Sequence, residues 1–176
     1  KYAKCGAKSF IPGIPSALWA QFTASQPYKI MHLNQIYLRD FRNYKELSLS
    51  FAPGVNLLIG DNAQGKTNLM EALWLFTGAK SFRQTKDSEF IRFGAEKANL
   101  KAEFFSENRE QNAEITFSPG KSLKKNGIDI KTAAEYAGTI GGVVFSPSHM
   151  NLFRDGPKER RRLIDTSLCQ LYPKYL

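Results

Sequence analysis

The stretch that decides the fold is Gly60-Asp61-Asn62-Ala63-Gln64-Gly65-Lys66-Thr67. It fits the pattern G-x-x-x-x-G-K-[ST] at every fixed position. The apolar segment Val55–Ile59 comes directly before it, and an apolar series with the spacing i, i+3, i+4, i+7 follows it, formed by Leu69, Ala72, Leu73 and Phe76. A strand, a glycine-containing loop and a helix in this order predict a phosphate-binding loop, or P-loop.

Each residue type in this loop suits the binding of an anion. The loop wraps successive backbone N–H groups around a phosphate, and the following helix directs the positive end of its dipole at the same point. Gly60 and Gly65 permit the tight wrap, Lys66 is predicted to reach the β- and γ-phosphates as a point charge, and the Thr67 hydroxyl to bind Mg²⁺. The sequence therefore predicts a nucleotide site over Gly60, Asp61, Asn62, Ala63, Gln64, Gly65, Lys66 and Thr67.

Further secondary structure is predicted on both sides of the loop. Alternating or short apolar runs predict strands, and Gly78 is placed to end the helix after the loop. Ser118–Asn126, with a proline, a glycine and three lysines, is predicted to be an exposed loop. The other predicted elements are strands at Leu33–Leu38, Leu47–Phe51, Asn99–Phe105 and Ala113–Phe117, a short helix at Thr132–Ala137, a buried strand at Gly142–Phe145 and a helix at Pro157–Tyr172.

Composition narrows the class of protein. The 176 residues are 42% hydrophobic and contain no apolar run of membrane-spanning length. The net charge of +9 favours a polyanionic partner such as nucleic acid about as strongly as it favours a merely solvated basic surface. Residues 1–30 hold four Lys and no acid, and are expected to be a poorly ordered leader. Two cysteines, Cys5 and Cys169, favour a reducing, cytoplasmic setting.

Three further stretches extend the pattern around the P-loop. LRDFRNY (Leu38–Tyr44) precedes it, AKSFRQT (Ala79–Thr85) follows its helix, and VVFSPSHMNLFRDGPKERRRLID (Val143–Asp165) comes later. From about Met31 to the end, the chain closely resembles the N-terminal half of the RecF family of DNA replication and repair ATPases. The resemblance implies an α/β fold, namely an ABC/SMC-type P-loop ATPase head with an antiparallel β subdomain. Its implied domains are a leader at 1–30, the head at 31–146 and the start of a helical lobe at 147–176.

The resemblance also implies roles for residues outside the loop. Arg42 and Asn43 fall where related heads approach the nucleotide, which would be ATP with Mg²⁺. Arg83 matches the arginine that SMC-type heads use near the γ-phosphate and DNA, so Lys66 and Arg83 are the candidate catalytic residues. A guanidinium suits either task because it stays charged and offers a planar fork of donors. The alternative for Arg42 and Arg83 is a solvated arginine in a turn.

A basic stretch late in the chain is the candidate DNA contact. Arg154–Arg162 holds five basic residues against two acids at the predicted start of a helix, where cations could reach a DNA backbone. The residues assigned to DNA are Arg154, Lys158, Arg160 and Arg161. The alternative is packing on the helix surface, with Asp165 pairing one of the arginines.

The resemblance implies an ATP-switched protein that dimerises on gapped or single-strand/double-strand junction DNA and works with RecO and RecR in recombinational repair. Two sequences that such ATPases need, a hydrophobic strand ending in Asp-Glu and a Ser-Gly-Gly signature, do not occur in the 176 residues. This chain is therefore expected to be an incomplete head that hydrolyses ATP poorly. Two alternatives stay open: a nucleotide-gated DNA-binding module without turnover, and a P-loop phosphotransferase.

Overall fold

The computed structural model describes residues 31–83, 85–145 and 156–172. Its main element is a six-stranded sheet in which every pair of neighbours is antiparallel, in the order β2-β1-β3-β4-β5-β6. The strands are β1 (His32–Phe41), β2 (Tyr44–Ser50), β3 (Ala98–Ser106), β4 (Arg109–Phe117), β5 (Lys121–Lys125) and β6 (Ile128–Ile130).

Strict alternation in the sequence places one face of this sheet in the core. Along β3 every second residue is buried, from Ala98 through Ser106, and β4 continues the pattern from Gln111 to Phe117. The two strands are joined by Glu107 and Asn108, both with positive φ, as a two-residue hairpin turn requires. Because the period of side chains is two, this register sends Leu100, Phe104, Ile115 and Phe117 to the same side, while Phe105 lies on the other face.

The helices are α1 (Lys66–Leu75), α2 (Ala133–Tyr136) and α3 (Pro157–Leu171), with a short 3₁₀ turn at Asp87–Phe90. The apolar stripe predicted after the P-loop is buried in the core: Leu69, Ala72 and Phe76 are almost fully inaccessible. Phe90 of the 3₁₀ turn packs between Phe41 and Phe117, with ring centroids 5.8 and 4.7 Å away. The core therefore lies between the inner face of the sheet and α1.

Two predicted strands are wrong. Val55–Ile59 and Gly142–Phe145 form no strand, and neither pairs with a strand of the described chain. Val55, Ile59 and Val143 are 95%, 84% and 96% exposed. Apolar, β-branched composition favours an extended chain, but a strand needs a neighbour to supply hydrogen bonds and to cover its side chains.

The predicted exposed loop Ser118–Asn126 is also corrected. It contains β5, which pairs with Ala113 to Phe117 of β4 and, through its residues Leu123 to Lys125, with β6. The loop prediction relied on Pro119 and Gly120 with the lysines and overlooked Asn126-Gly127, a pair typical of a two-residue hairpin turn.

The late helix is observed one residue shorter than predicted. Pro157 is its first residue, as helix starts favour, and Gly156 stands at the N-cap. Its C-terminal part contacts the segment after α2, where the backbone N–H of Gly142 donates to Gln170 Oε1 at 2.9 Å. The expected leader, residues 1–30, lies outside the described residues. No helix in the described ranges is long and apolar enough to span a membrane.

Candidate nucleotide site

The backbone of the loop leaves the start of α1 available to an anion. Gly65 stands at the N-cap in the left-handed conformation, with no side chain capping the helix and no acidic residue in its first turn. Ala63 also has positive φ, at 65°. The first N–H groups of a helix have no partner within the helix, so this end combines free donors with the positive end of the dipole.

The turn between β1 and β2 packs directly on the loop. A Cβ at Gly65 would lie 2.7 Å from Asn43 Nδ2 and 2.9 Å from the Tyr44 hydroxyl. Only glycine fits here, because both the space and the φ of 103° exclude a side chain. Burial raises the pKa of the Tyr44 hydroxyl, which lies beside the loop.

Lys66 and Thr67, the predicted phosphate and Mg²⁺ residues, begin α1. Lys66 Nζ donates to the carbonyl oxygens of Gly60 and Asp61, both at 2.5 Å. These two bonds hold the lysine side chain across the loop and use two of its three donors. Lys66 and the exposed Thr67 line an open cavity of about 380 Å³ together with Leu58, Met70 and Phe82.

Asn43 and Arg83, predicted from outside the loop, meet it through a chain of side chains. Asn43 Nδ2 donates to the Gln64 carbonyl at 3.4 Å, and Asn68 Nδ2 donates to Asn43 Oδ1 at 2.8 Å. Arg83 Nη1 donates to Asn68 Oδ1, also at 2.8 Å. The structure therefore brings Asn43 and Arg83 to the first turns of α1, and 43% of the Arg83 side chain stays exposed.

Arg42 is placed differently from its neighbour. Its side chain is only 15% exposed and forms a fork on Glu71, with Nε and Nη2 each donating at 3.1 Å. Its guanidinium also lies 5.0 Å from the centre of the Phe90 ring, within cation–π range, and Nη2 donates to Thr85 Oγ1. The Arg42 side chain is thus largely buried and bound to Glu71 of α1.

Glu71 is the residue of this site that the sequence reasoning missed. It is completely buried on α1 and accepts hydrogen bonds from Arg42, Ser81 and Thr85. A charged residue between Met70 and Ala72, inside an otherwise apolar run, was the available signal. Buried carboxylates occur almost only where they are paired, so that position already predicted a cationic partner.

The proposed DNA residues lie away from the loop in the sequence, and three of the four are on α3. Arg160 and Arg161 are exposed, Lys158 belongs to the same helix, and Arg154 lies outside the described residues. Asp165 is exposed too. Within the described residues no cluster of three or more His, Cys, Asp or Glu is placed to hold a metal ion.

Comparison with known proteins gives the class. Residues 31–138 match the AAA ATPase domain, and the chain belongs to that family of ATPase domains. Within this class, the chain is similar to RecF proteins. It is 40% identical over 147 residues to the DNA replication and repair protein RecF of Halalkalibacterium halodurans, and 39% identical over 148 residues to that of Lachnospira eligens. Each match covers 83% of this chain.

Two solved structures of RecF also resemble this chain. The structure of the recombination mediator protein RecF with ATPrS in the RecFOR pathway superimposes with a TM-score of 0.78 at 34% identity, over 82% of this chain and 40% of that one. The RecF–ATP structure gives a TM-score of 0.72 at 36% identity, over 77% and 38%. The predicted RecF resemblance and the ABC-type P-loop fold class are confirmed. The chain spans about two fifths of the length of these relatives.

Proposed function

We propose that this chain binds ATP with Mg²⁺ at Gly60–Thr67 and belongs to a DNA replication and repair ATPase of the RecF kind. The observation that carries the proposal is the uncapped start of α1 behind the loop, with Lys66 drawn across it and Asn43 packed against Gly65. The residues present fit the group: the N–H donors at the start of α1 and the Lys66 ammonium would hold the phosphates, and the exposed hydroxyl of Thr67 would bind the cation. Mg²⁺ commonly takes only one or two protein ligands and completes its shell with phosphates and water.

The direct test is the affinity of the chain for Mg-ATP, measured by isothermal titration calorimetry. Lys66→Ala removes the point charge, and we expect the affinity to fall by at least about tenfold. Lys80→Ala is the matched control, because Lys80 is an exposed lysine beyond the end of the same helix. Unchanged affinity in Lys66→Ala would show that the phosphates bind elsewhere.

We extend the proposal to the switch: ATP binding drives two copies together on gapped or single-strand/double-strand junction DNA in recombinational repair, with RecO and RecR as partners. The support is the RecF kinship, and for DNA contact the exposed Arg160 and Arg161 with Lys158 on α3 and Arg154 ahead of it. Phosphate contacts of this kind weaken steeply with salt.

Fluorescence anisotropy on a gapped duplex, with and without Mg-ATP, tests this step. Arg161→Gln is expected to weaken binding and to reduce its salt dependence, whereas Arg39→Gln, an exposed arginine on β1, leaves both unchanged. Equal losses in the two variants would indicate a diffuse charge effect. Sedimentation velocity with ATP tests dimerisation, and release of inorganic phosphate separates an ATPase from a binding module without turnover.

A further inference from the structure

Glu71, on the helix that follows the P-loop, is the shared partner of several polar side chains. Its side chain is 0% exposed, yet its two oxygens meet four residues from two separate loops. One is the turn between β1 and β2, which supplies Arg42; the other is the segment that follows α1, with Ser81, Arg83 and Thr85. A buried carboxylate with this many partners links those loops to the phosphate-binding helix.

The two arginines share one oxygen atom. Arg42 Nη2 lies 2.9 Å from Glu71 Oε2, and Arg83 Nη1 lies 3.6 Å from the same oxygen. Two guanidinium groups that approach the same oxygen repel each other unless an anion separates them. Glu71 is therefore the counter-ion that lets both arginines lie side by side.

The two arginines differ in how firmly they are held. Arg42 has the fork on Glu71, the bond to Thr85 and the Phe90 ring, and little exposure. Arg83 is nearly half exposed and has one bond to Asn68 besides the longer ion pair. Loss of the negative charge would consequently release Arg83 first.

Arg83 lies near the start of α1, where the charge of an additional phosphate group would attract it. Its partner Asn68 is the third residue of α1, beside the helix end that the P-loop precedes. A cation held there favours the more highly charged nucleotide, because the Coulomb term grows with the ligand charge. We propose that Glu71 is a positioning residue, which fixes Arg42 and Arg83 against α1 and thereby sets the preference of the site for ATP over ADP. This inference rests on the nucleotide site proposed above.

The test compares the dissociation constants of Mg-ATP and Mg-ADP for the full chain and Glu71→Gln, with Glu46→Gln, an exposed glutamate on β2, as control. We expect Glu71→Gln to lower the ATP preference by about fivefold. Arg83→Gln should reproduce that loss, and Glu71→Gln added to Arg83→Gln should change nothing more. A purely structural role would weaken both nucleotides equally and leave the ratio unchanged, which overturns the inference. A rise in the ATP affinity of Glu71→Gln would also overturn the inference, because removal of a negative charge near the phosphates would produce that rise by itself.

A second readout separates this inference from the proposed site. Nitrogen-15 relaxation of the arginine side chains in the nucleotide-free protein should show the Arg83 guanidinium mobile in Glu71→Gln and ordered in the parent chain. If the parent binds no Mg-ATP, the proposed function fails, and this measurement still decides the positioning role: unchanged Arg83 motion overturns it.

Circular dichroism checks that Glu71→Gln folds. Should it not fold, Ser81→Ala takes its place, since Ser81 Oγ donates to Glu71 Oε1 at 2.5 Å and accepts from the Arg83 backbone N–H at 3.0 Å. Its expected effect is a smaller loss of ATP preference, about twofold, in the same direction. An unchanged preference in Ser81→Ala would then overturn the inference.

Discussion

The sheet and the P-loop side of this molecule differ in how far neighbouring strands pair with their apolar segments and cover their side chains. In the sheet, β1, β3 and β4 each have a hydrogen-bonded neighbour on both edges, and their inward residues are inaccessible. On the P-loop side, 55–59 and 142–145 run without a strand partner in the described chain and expose a row of apolar side chains. The same kind of sequence thus gives a buried strand in one region and an exposed segment in the other, because burial is decided by the neighbours.

The largest expected effect comes from emptying the sheet core. Phe104 is completely buried on β3, and Phe104→Ala is expected to lower the free energy of unfolding by about 3–5 kcal/mol through lost burial and a residual cavity. Leu57→Ala, on the exposed segment before the P-loop, is expected to change it by less than about 0.5 kcal/mol. Urea denaturation followed by circular dichroism measures both. Similar losses would mean that the exposed segment contributes to the core after all.

The next effect tests the link between the two regions. Arg42→Ala removes the fork from Glu71 and leaves a buried carboxylate without its main partner, at an expected cost of about 3 kcal/mol in unfolding free energy. Arg92→Ala is the matched control, since the Arg92–Asp40 pair at 2.8 Å is partly exposed and should contribute no more than about 1 kcal/mol. If the two variants lost equal stability, the Glu71 contacts would be no stronger than a surface pair.

Sequence alone predicted the strands β1 to β4 better than β5, β6 and the two exposed apolar segments. The alternation of apolar and polar residues in β3 and β4 indicates both that each segment is a strand and which of its faces is buried. Those predictions therefore needed no knowledge of the fold. The error at Gly142–Phe145 has the opposite cause: an apolar run specifies a tendency to be extended, while a ladder depends on residues far away in the chain.

The candidate site also has one part that the sequence predicts and another that it does not. The loop Gly60–Thr67 is a local pattern, and its helix and αL glycine follow from it. The contact of Asn43 with Gly65 and the fork of Arg42 on Glu71 join residues at least 21 positions apart, and only tertiary structure brings them together. The sequence did mark Glu71 as unusual, because it is a charged residue within an apolar run. The sequence spacing does not show which residues are its partners.

A smaller effect is expected where the turn between β1 and β2 packs against Gly65. Gly65→Ala places a methyl group against Asn43 and Tyr44 and forces alanine to a φ of 103°. We expect a loss of about 1–3 kcal/mol in stability together with weaker Mg-ATP binding. Gly94→Ala has a similar φ of 82° but open space around the added atom, so it isolates the backbone strain. Equal effects on ATP binding would remove the steric argument.

The smallest effect on folding concerns the exposed apolar row itself. Leu57→Lys replaces a side chain that is 78% exposed, so the free energy of unfolding should change by less than about 0.5 kcal/mol. Contiguous exposed apolar residues promote association, so the added charge should instead lower the weight-average mass at high protein concentration in sedimentation equilibrium. Ile128→Lys is the control, since Ile128 is 72% exposed at the far edge of the sheet, on β6. A decrease in Leu57→Lys alone assigns the association to the P-loop side. An equal decrease in both variants would show that the two regions differ in strand pairing but not in how their exposed surfaces behave.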